Sequence, residues 1–232
     1  MEHAQSARIS QKAVSTRQRI LDTALGLFAT KGYEKTTMRE IAAEAACSLG
    51  LTYRYFSSKE ELVLELYRNL VRQLEEQANQ LAQGTIADRF QRIILTQFEL
   101  MTPYRETLGA IFGPALNPHA PAGLFGESTA DVRRQARDIY INIVTGSRDA
   151  PRGAHIEEMA TILYGMQLAL TLFWLQDLSP GTQKTYEFVT FLHDMLALIR
   201  PLLRLPVVSK ALARLTRIVG PMLGDPKEAY PR

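Results

Sequence analysis

Apolar positions along this chain recur at helical spacing, while the alternation and hairpin turns that mark strands are nearly absent. Ile20, Ala24, Leu27 and Phe28 share one face of a predicted helix over Thr16–Lys31, which Gly32 ends. A short helix starts at Met38 with Thr37 as its N-cap, and Ile41, Ala42 and Ala45 form its stripe. A break near Ala46-Cys47 separates it from a third helix, Ser48–Tyr55. Ser58 then caps a long fourth helix, with Glu61 placed to complete a capping box. Leu62, Leu66, Leu70 and Leu74 line its buried face. Further helices are predicted over Ile86–Met101, Tyr104–Phe112, Ser128–Val144, His155–Gln176 and Thr182–Leu203. Gly113–Gly126, Thr145–Gly153 and Asp177–Gly181 read as loops, and a basic amphipathic piece, Val208–Val219, follows Pro206. The expected fold class is all-α, in four parts: a flexible arm (1–15), a compact three-helix domain (16–62), a larger helical domain (63–205) and an extension (206–232).

Composition sharpens this picture. The 232 residues are 46% hydrophobic and 22% charged, an ordinary globular balance. Cys47 is the single cysteine, which excludes an internal disulfide and a cysteine-based zinc cluster. It reads as a small turn residue before a redox sensor, because a sensor needs an exposed, electropositive setting. Residues 1–15 lack the apolar core of a signal peptide, and the apolar run Met159–Leu175 falls short of a membrane span. The expectation is a soluble, cytoplasmic, nucleoid-associated protein with no membrane partner. Basic and acidic residues number nine against six in 1–60, eleven against sixteen in 61–199 and seven against two in 200–232. A basic head on an acidic body suits a protein that presents one end to a polyanion.

Two short helices joined by a tight turn, behind a longer one, describe a helix-turn-helix whose last helix enters the DNA major groove. That helix offers Ser48, Leu49, Gly50, Tyr53, Arg54 and Tyr55. Gly50 permits close backbone approach, Arg54 can donate twice to guanine or pair with phosphate, and tyrosine hydroxyls reach phosphates or base edges. Packing between helices is an equal alternative for Tyr53. Thr37 and Lys59 open the second and fourth helices, where the dipole, free amides and side chain together suit a phosphate.

The stretch Thr36-Thr37-Met38-Arg39-Glu40-Ile41-Ala42, continued by Tyr53-Arg54-Tyr55-Phe56-Ser57-Ser58-Lys59-Glu60-Glu61-Leu62, resembles the DNA-binding signature of the tetracycline-repressor (TetR) family. Ile20-Leu21-Asp22-Thr23-Ala24 and Phe28-Ala29-Thr30-Lys31-Gly32-Tyr33 match it too. The resemblance covers about residues 16–65. It implies a homodimer that binds a palindromic operator on double-stranded DNA, usually as a repressor released by a small-molecule effector. Backbone-contacting positions of the family carry over onto Thr37, Tyr55 and Lys59, and recognition positions onto Ser48 to Arg54. Leu49 departs from the pattern, standing where many relatives have a polar or basic residue. Leu51-Thr52 reverses a frequent order. Either leucine can meet a thymine methyl.

Behind the helix-turn-helix, two helices are more apolar than one buried face requires. Leu163, Leu170 and Trp174 mark one, and Phe188, Phe191, Met195, Ile199 and Leu202 mark the other. Paired with their copies, they would build an intersubunit four-helix bundle. Phe98, Met101, Tyr104, Phe112, Tyr140 and Tyr164, with Phe125 and Met166 nearby in sequence, suit an adaptable pocket for an apolar or aromatic effector. They suit an ordinary core equally well. Arg105, Arg133, Arg134 and Arg137 could hold an anionic ligand, but surface solvation is the preferred expectation. An enzyme reading finds no support: no histidine follows a glutamate by three residues, and no Walker loop, Gly-x-Ser-x-Gly elbow or His-Glu-x-x-His occurs. No cofactor or metal is expected. A membrane-surface role for Lys210, Arg214 and Arg217 beside Leu212, Leu215, Ile218 and Val219 is the weaker alternative to packing on the domain.

Overall fold

The computed structural model describes residues 2–115, 129–153, 155–199 and 206–223, without the side chains of 2–13, 111–115 and 206–209. Among them the chain forms ten helices and no strand: α1 (Glu2–Lys31), α2 (Met38–Glu44), α3 (Leu49–Tyr55), α4 (Lys59–Asn79), α5 (Ile86–Met101), α6 (Arg105–Ala115), α7 (Ala130–Thr145), α8 (His155–Gln176), α9 (Gln183–Ile199) and α10 (Pro206–Val219). The segment expected as an arm is helical and continuous with α1, since no glycine or proline interrupts the chain before Gly26. Short 3-10 turns at Thr102–Tyr104 and Pro180–Thr182 precede α6 and α9 and contain Pro103 and Pro180. Helix α6 runs past the expected end at Phe112, to Ala115. The remainder of the expected Gly113–Gly126 loop, and the end expected for α9 at Leu203, lie outside the described residues.

The described residues divide into two compact units: those up to Tyr67 with 104–115, and 68–103 with those from Thr129 onward. The first unit is organised around α1. Ile20, Ala24 and Phe28 meet Ile41 of α2, Phe56 at the end of α3 and Leu62 of α4 in a core that excludes solvent. Each of the larger side chains, Ile20, Phe28, Ile41, Phe56 and Leu62, contributes about 1.5–3 kcal/mol relative to exposure. Gly32 ends α1 in the left-handed region (φ 90°), and its amide bonds the Phe28 carbonyl. Arg17 fastens α1 to α4, donating to Glu65 at 2.8 Å while its guanidinium lies 4.7 Å from the Phe56 ring centroid. Helix α6 packs on α1 within the same unit.

In the second unit, α7 packs on α8 and α5 on α9. Phe98 of α5 stacks on Trp174 of α8 at 5.3 Å between centroids, and Tyr140 of α7 meets Tyr164 of α8 at 5.8 Å. By length and composition α8 is apolar enough to cross a membrane, but Leu163, Tyr164, Leu170 and Trp174 on it are buried in protein. A buried cation ties helix ends together: Arg89 donates to the carbonyls of Leu81 and Ala82, just beyond α4, and of Asn142 and Ile143 near the end of α7. The negative ends of helix dipoles there replace a carboxylate partner. At Gly146 a Cβ would stand 2.7 Å from the Arg89 guanidinium, so a side chain there would displace Arg89 from these carbonyls. Asp177 closes the corner between α8 and α9, accepting from Ser179 and Thr185 through both amides and both hydroxyls. Burial opposes its charge, yet these four donors hold its carboxyl well below the usual range. Helix α10 packs on α8, and Leu223 beyond it lies over Gly165, which is the packing expected of the basic extension.

Candidate nucleic-acid interface

Helix α3 owes its place to Thr52. That residue is buried, its hydroxyl donating to the Ser48 carbonyl at 3.1 Å, so the opposite side of the helix faces outward. Ser48 is the N-cap and accepts the Leu51 amide at 3.2 Å. Ser48, Gly50, Tyr53 and Arg54 are exposed, and Tyr53, at 49%, does not pack between helices. Leu49 and Tyr55 are half-buried, packed against the core of the first unit. No heavy atom beyond its immediate surroundings in α3 lies within 4 Å of where a Cβ on Gly50 would stand. The protein's own packing therefore gives no reason for glycine here.

The turn from α2 into α3 is a complete Schellman motif, in which the Cys47 amide bonds the Ala42 carbonyl and the Ala46 amide bonds that of Ala43. Ala46 fills the position that glycine usually takes, with φ at 50°. Cys47 follows, half-buried, with the Arg19 guanidinium 3.4 Å from its sulfur.

Both helix starts expected to hold phosphate are capped by the chain itself. At α2 the amide and hydroxyl of Thr37 both donate to the Glu40 carboxylate, at 2.8 and 2.9 Å, and Lys31 also pairs with Glu40. The Lys31 contact, then the Thr37 donors, hold the Glu40 carboxyl at about 2. These Thr37 groups are thus engaged, where the sequence reading took them as open. At α4 the Glu61 amide donates to Ser58, while the Glu61 carboxylate accepts from Ser57 at 2.5 Å, one residue further back than a capping box requires. Lys59 turns toward Tyr33, donating to its carbonyl at 2.8 Å with the ammonium 4.3 Å from its ring centroid. An ammonium has three N–H groups, so donors remain for a phosphate. Tyr33 donates to Glu60 at 3.1 Å, and burial first, then Glu60, pushes its phenol up. Arg39, exposed in the first turn of α2, is a further cation of the helix-turn-helix that the reading of α3 passed over.

Phe98, Met101, Tyr140 and Tyr164 are buried in the second unit, Tyr104 belongs to the first, and the Phe112 side chain and Phe125 lie outside the described residues. Arg133 and Arg137 are buried, not solvated: they face inward on α7, donating to the hydroxyls of Thr129 and Thr161. On α8, Leu163, Leu170 and Trp174 are buried within the chain and cannot form its outer face. Leu172 and Phe173 are exposed instead, and Phe173 meets Phe188 of α9 at 5.1 Å. The reading also missed a buried polar group among the apolar residues: Gln97, Gln167 and Thr171.

Residues 20–66 match the sequence model described as bacterial regulatory proteins, tetR family, and residues 89–211 match the tetracyclin repressor-like C-terminal domain. The HTH-type transcriptional repressor KstR2 of Mycobacterium tuberculosis is 33% identical over 94 residues, 40% of this chain and 47% of that protein. The HTH-type transcriptional regulator YuxN of Bacillus subtilis is 53% identical over 47 residues, 20% and 16% of the two chains. The chain thus spans about half the length, or less, of these curated relatives. Two solved structures share the fold. Thermus thermophilus FadR, a TetR-family transcriptional repressor in complex with lauroyl-CoA, has a TM-score of 0.58 at 22% identity, covering 76% of this chain and 92% of its own. A tetR-family transcriptional regulator from Streptomyces coelicolor has a TM-score of 0.59 at 19% identity, covering 90% and 86%. With both parts of the chain matched and the helix-turn-helix in place, the protein belongs to the tetR family of bacterial regulatory proteins.

Proposed function

We propose that this protein is a homodimeric repressor that binds a palindromic operator through α3 and is released from it by a small, largely apolar effector held in the second unit. The observation that carries this reading is the outward side of α3. Ser48, Gly50, Tyr53 and Arg54 are presented together by a helix whose inner side is fixed by Thr52, and Gly50 answers no packing need. Arg54 reads guanine or holds phosphate, and Gly50 admits the duplex backbone. Lys59 and Arg39 add sequence-independent attraction. Thr37 joins them if phosphate draws its hydroxyl from Glu40. Two such units on a dimer would reach successive major grooves about 34–36 Å apart. Exposed Leu172 and Phe173 of α8, with Tyr186, Phe191 and Leu198 of α9, supply an apolar face for the second copy. The lauroyl-CoA held by the Thermus thermophilus protein supports an apolar effector here, as do the aromatic residues at the centre of the second unit. An effector that favours one arrangement of the dimer shifts the population away from DNA.

Fluorescence anisotropy of labelled DNA from upstream of the protein's own gene, against a scrambled duplex across a salt series, tests the reading. Tight, selective, salt-dependent binding is expected. Absence of binding even at low salt, where phosphate contacts dominate, would overturn it.

A further inference from the structure

Between α5 and α8 one hydroxyl fixes the direction of two amides. The Thr171 hydroxyl donates its single proton to the Gln167 carbonyl at 2.9 Å. Toward other groups it can only accept, and it receives the side-chain N–H groups of Gln97 at 3.0 Å and of Gln167 at 2.9 Å. The second N–H of Gln97 lies 3.4 Å from the Met101 sulfur. Turning the Gln97 amide over would require the Thr171 hydroxyl to give up the Gln167 carbonyl and donate to Gln97 instead, so the orientation shown is the one that keeps all three bonds. Gln97 is 6% exposed, and its Oε1, held away from Thr171, is a buried oxygen with no hydrogen-bond partner. A buried acceptor left unpaired is costly, and native folds rarely keep one without a use.

Phe98 follows Gln97 on α5 and stacks on Trp174, which lies one turn beyond Thr171 on α8. We infer that Gln97 Oε1 is a recognition point for a hydrogen-bond donor, a hydroxyl or N–H, carried by an otherwise apolar molecule bound in the second unit. The inference rests on the proposed reading that this unit holds an effector, and it narrows the class of that effector. A plain hydrocarbon chain, or one ending in acceptors alone, leaves Oε1 unpaired; a molecule with one donor at that point completes the network. Discrimination of this kind is strong because the mismatched ligand leaves a buried polar group unsatisfied.

Trp174 is the only tryptophan in the chain, so its fluorescence reports on this site without DNA. The test titrates the full-length protein with 1-decanol and with methyl nonyl ether, which has the same number of heavy atoms but no donor. Wild type is expected to bind the alcohol about tenfold more tightly than the ether. Gln97→Met should bind both alike, with circular dichroism confirming its fold. Thr171→Val, which frees the amide to turn, should lose most of the preference while keeping Gln97. Equal binding of the two probes by wild type, a preference that survives Gln97→Met, or no response to either probe would overturn the inference. Because DNA is absent from the titration, failure here is separable from failure of operator binding.

Discussion

A Cβ at position 50 would meet nothing in the protein, and alanine is a better helix residue than glycine by roughly 1 kcal/mol. Gly50→Ala should therefore leave the thermal midpoint unchanged or raised while operator affinity falls about tenfold, a loss of about 1.4 kcal/mol. Parallel thermal melts and anisotropy check it; a fall in both would mean the glycine serves the fold. Lys59→Ala should weaken binding to all duplexes alike and flatten the salt dependence by about one phosphate contact, read from the slope of log K against log salt. At this scale the sequence was partly legible. The spacing that buries Thr52 also exposes Ser48, Gly50, Tyr53 and Arg54, and helical period alone gives it. That Thr37 serves Glu40 was written in the sequence as well, because a glutamate three residues after a threonine cap is the capping-box spacing. The inward turn of Arg133 and Arg137 was not, since it depends on which helix lies across from α7.

Helix positions were legible from periodicity and caps, and the ends were less so. The continuation of α1 back to Glu2 was not legible, because the helix runs straight through Ser15 and Thr16, residue types that commonly cap a helix start. Pairing between helices was illegible, because it arises from contacts distant in sequence. The link of α9 to α5 is an example. His193 lies 3.2 Å from Asp88, the residue that caps α5 through Thr85, and 2.9 Å from its neighbour Asp194. Asp194 foremost, then Asp88, raises the imidazole above 6.5, and the Thr85 donors foremost, then His193, hold Asp88 at about 2. The two shifts act in opposite pH windows. A raised folded value for His193 stabilises the fold fully below about pH 6.5, a contribution lost as pH rises through that folded value. A lowered value for Asp88 stabilises fully above its ordinary 3.8 and is lost as pH falls toward 2. His193→Gln should therefore cost stability at pH 6 but little at pH 8, as measured by urea midpoints across that range. An equal cost at both would show that protonation has no part in the bridge.

For the whole molecule, the all-α class and the helix-turn-helix were readable because they rest on local periodicity and a short motif. The outer face of the second unit was readable only in part. Sequence marked α8 and α9 as overly apolar, but which of their residues point inward depends on packing with α5 and α7: Trp174 is buried, while Phe191 is 59% and Leu198 is 75% exposed. If the second copy covers this face, Phe191→Glu with Leu198→Glu should convert a dimer to a monomer in light scattering at micromolar concentration. The same pair should weaken operator binding without touching α3. A dimer that survives both changes would place the interface elsewhere.

The turn joining α2 to α3 bears on how such a protein can change over generations. Ala46 holds a left-handed backbone that glycine adopts without strain, at a cost of about 1 kcal/mol. Ala46→Gly should raise the melting midpoint, and differential scanning calorimetry would register it. The chain therefore keeps an unused increment of stability one substitution away, in a turn that lies just ahead of α3, the helix proposed to read DNA. A lineage that drew on it could accept substitutions at Ser48, Tyr53 or Arg54 that loosen the domain, and so explore new operators without falling below the threshold for folding.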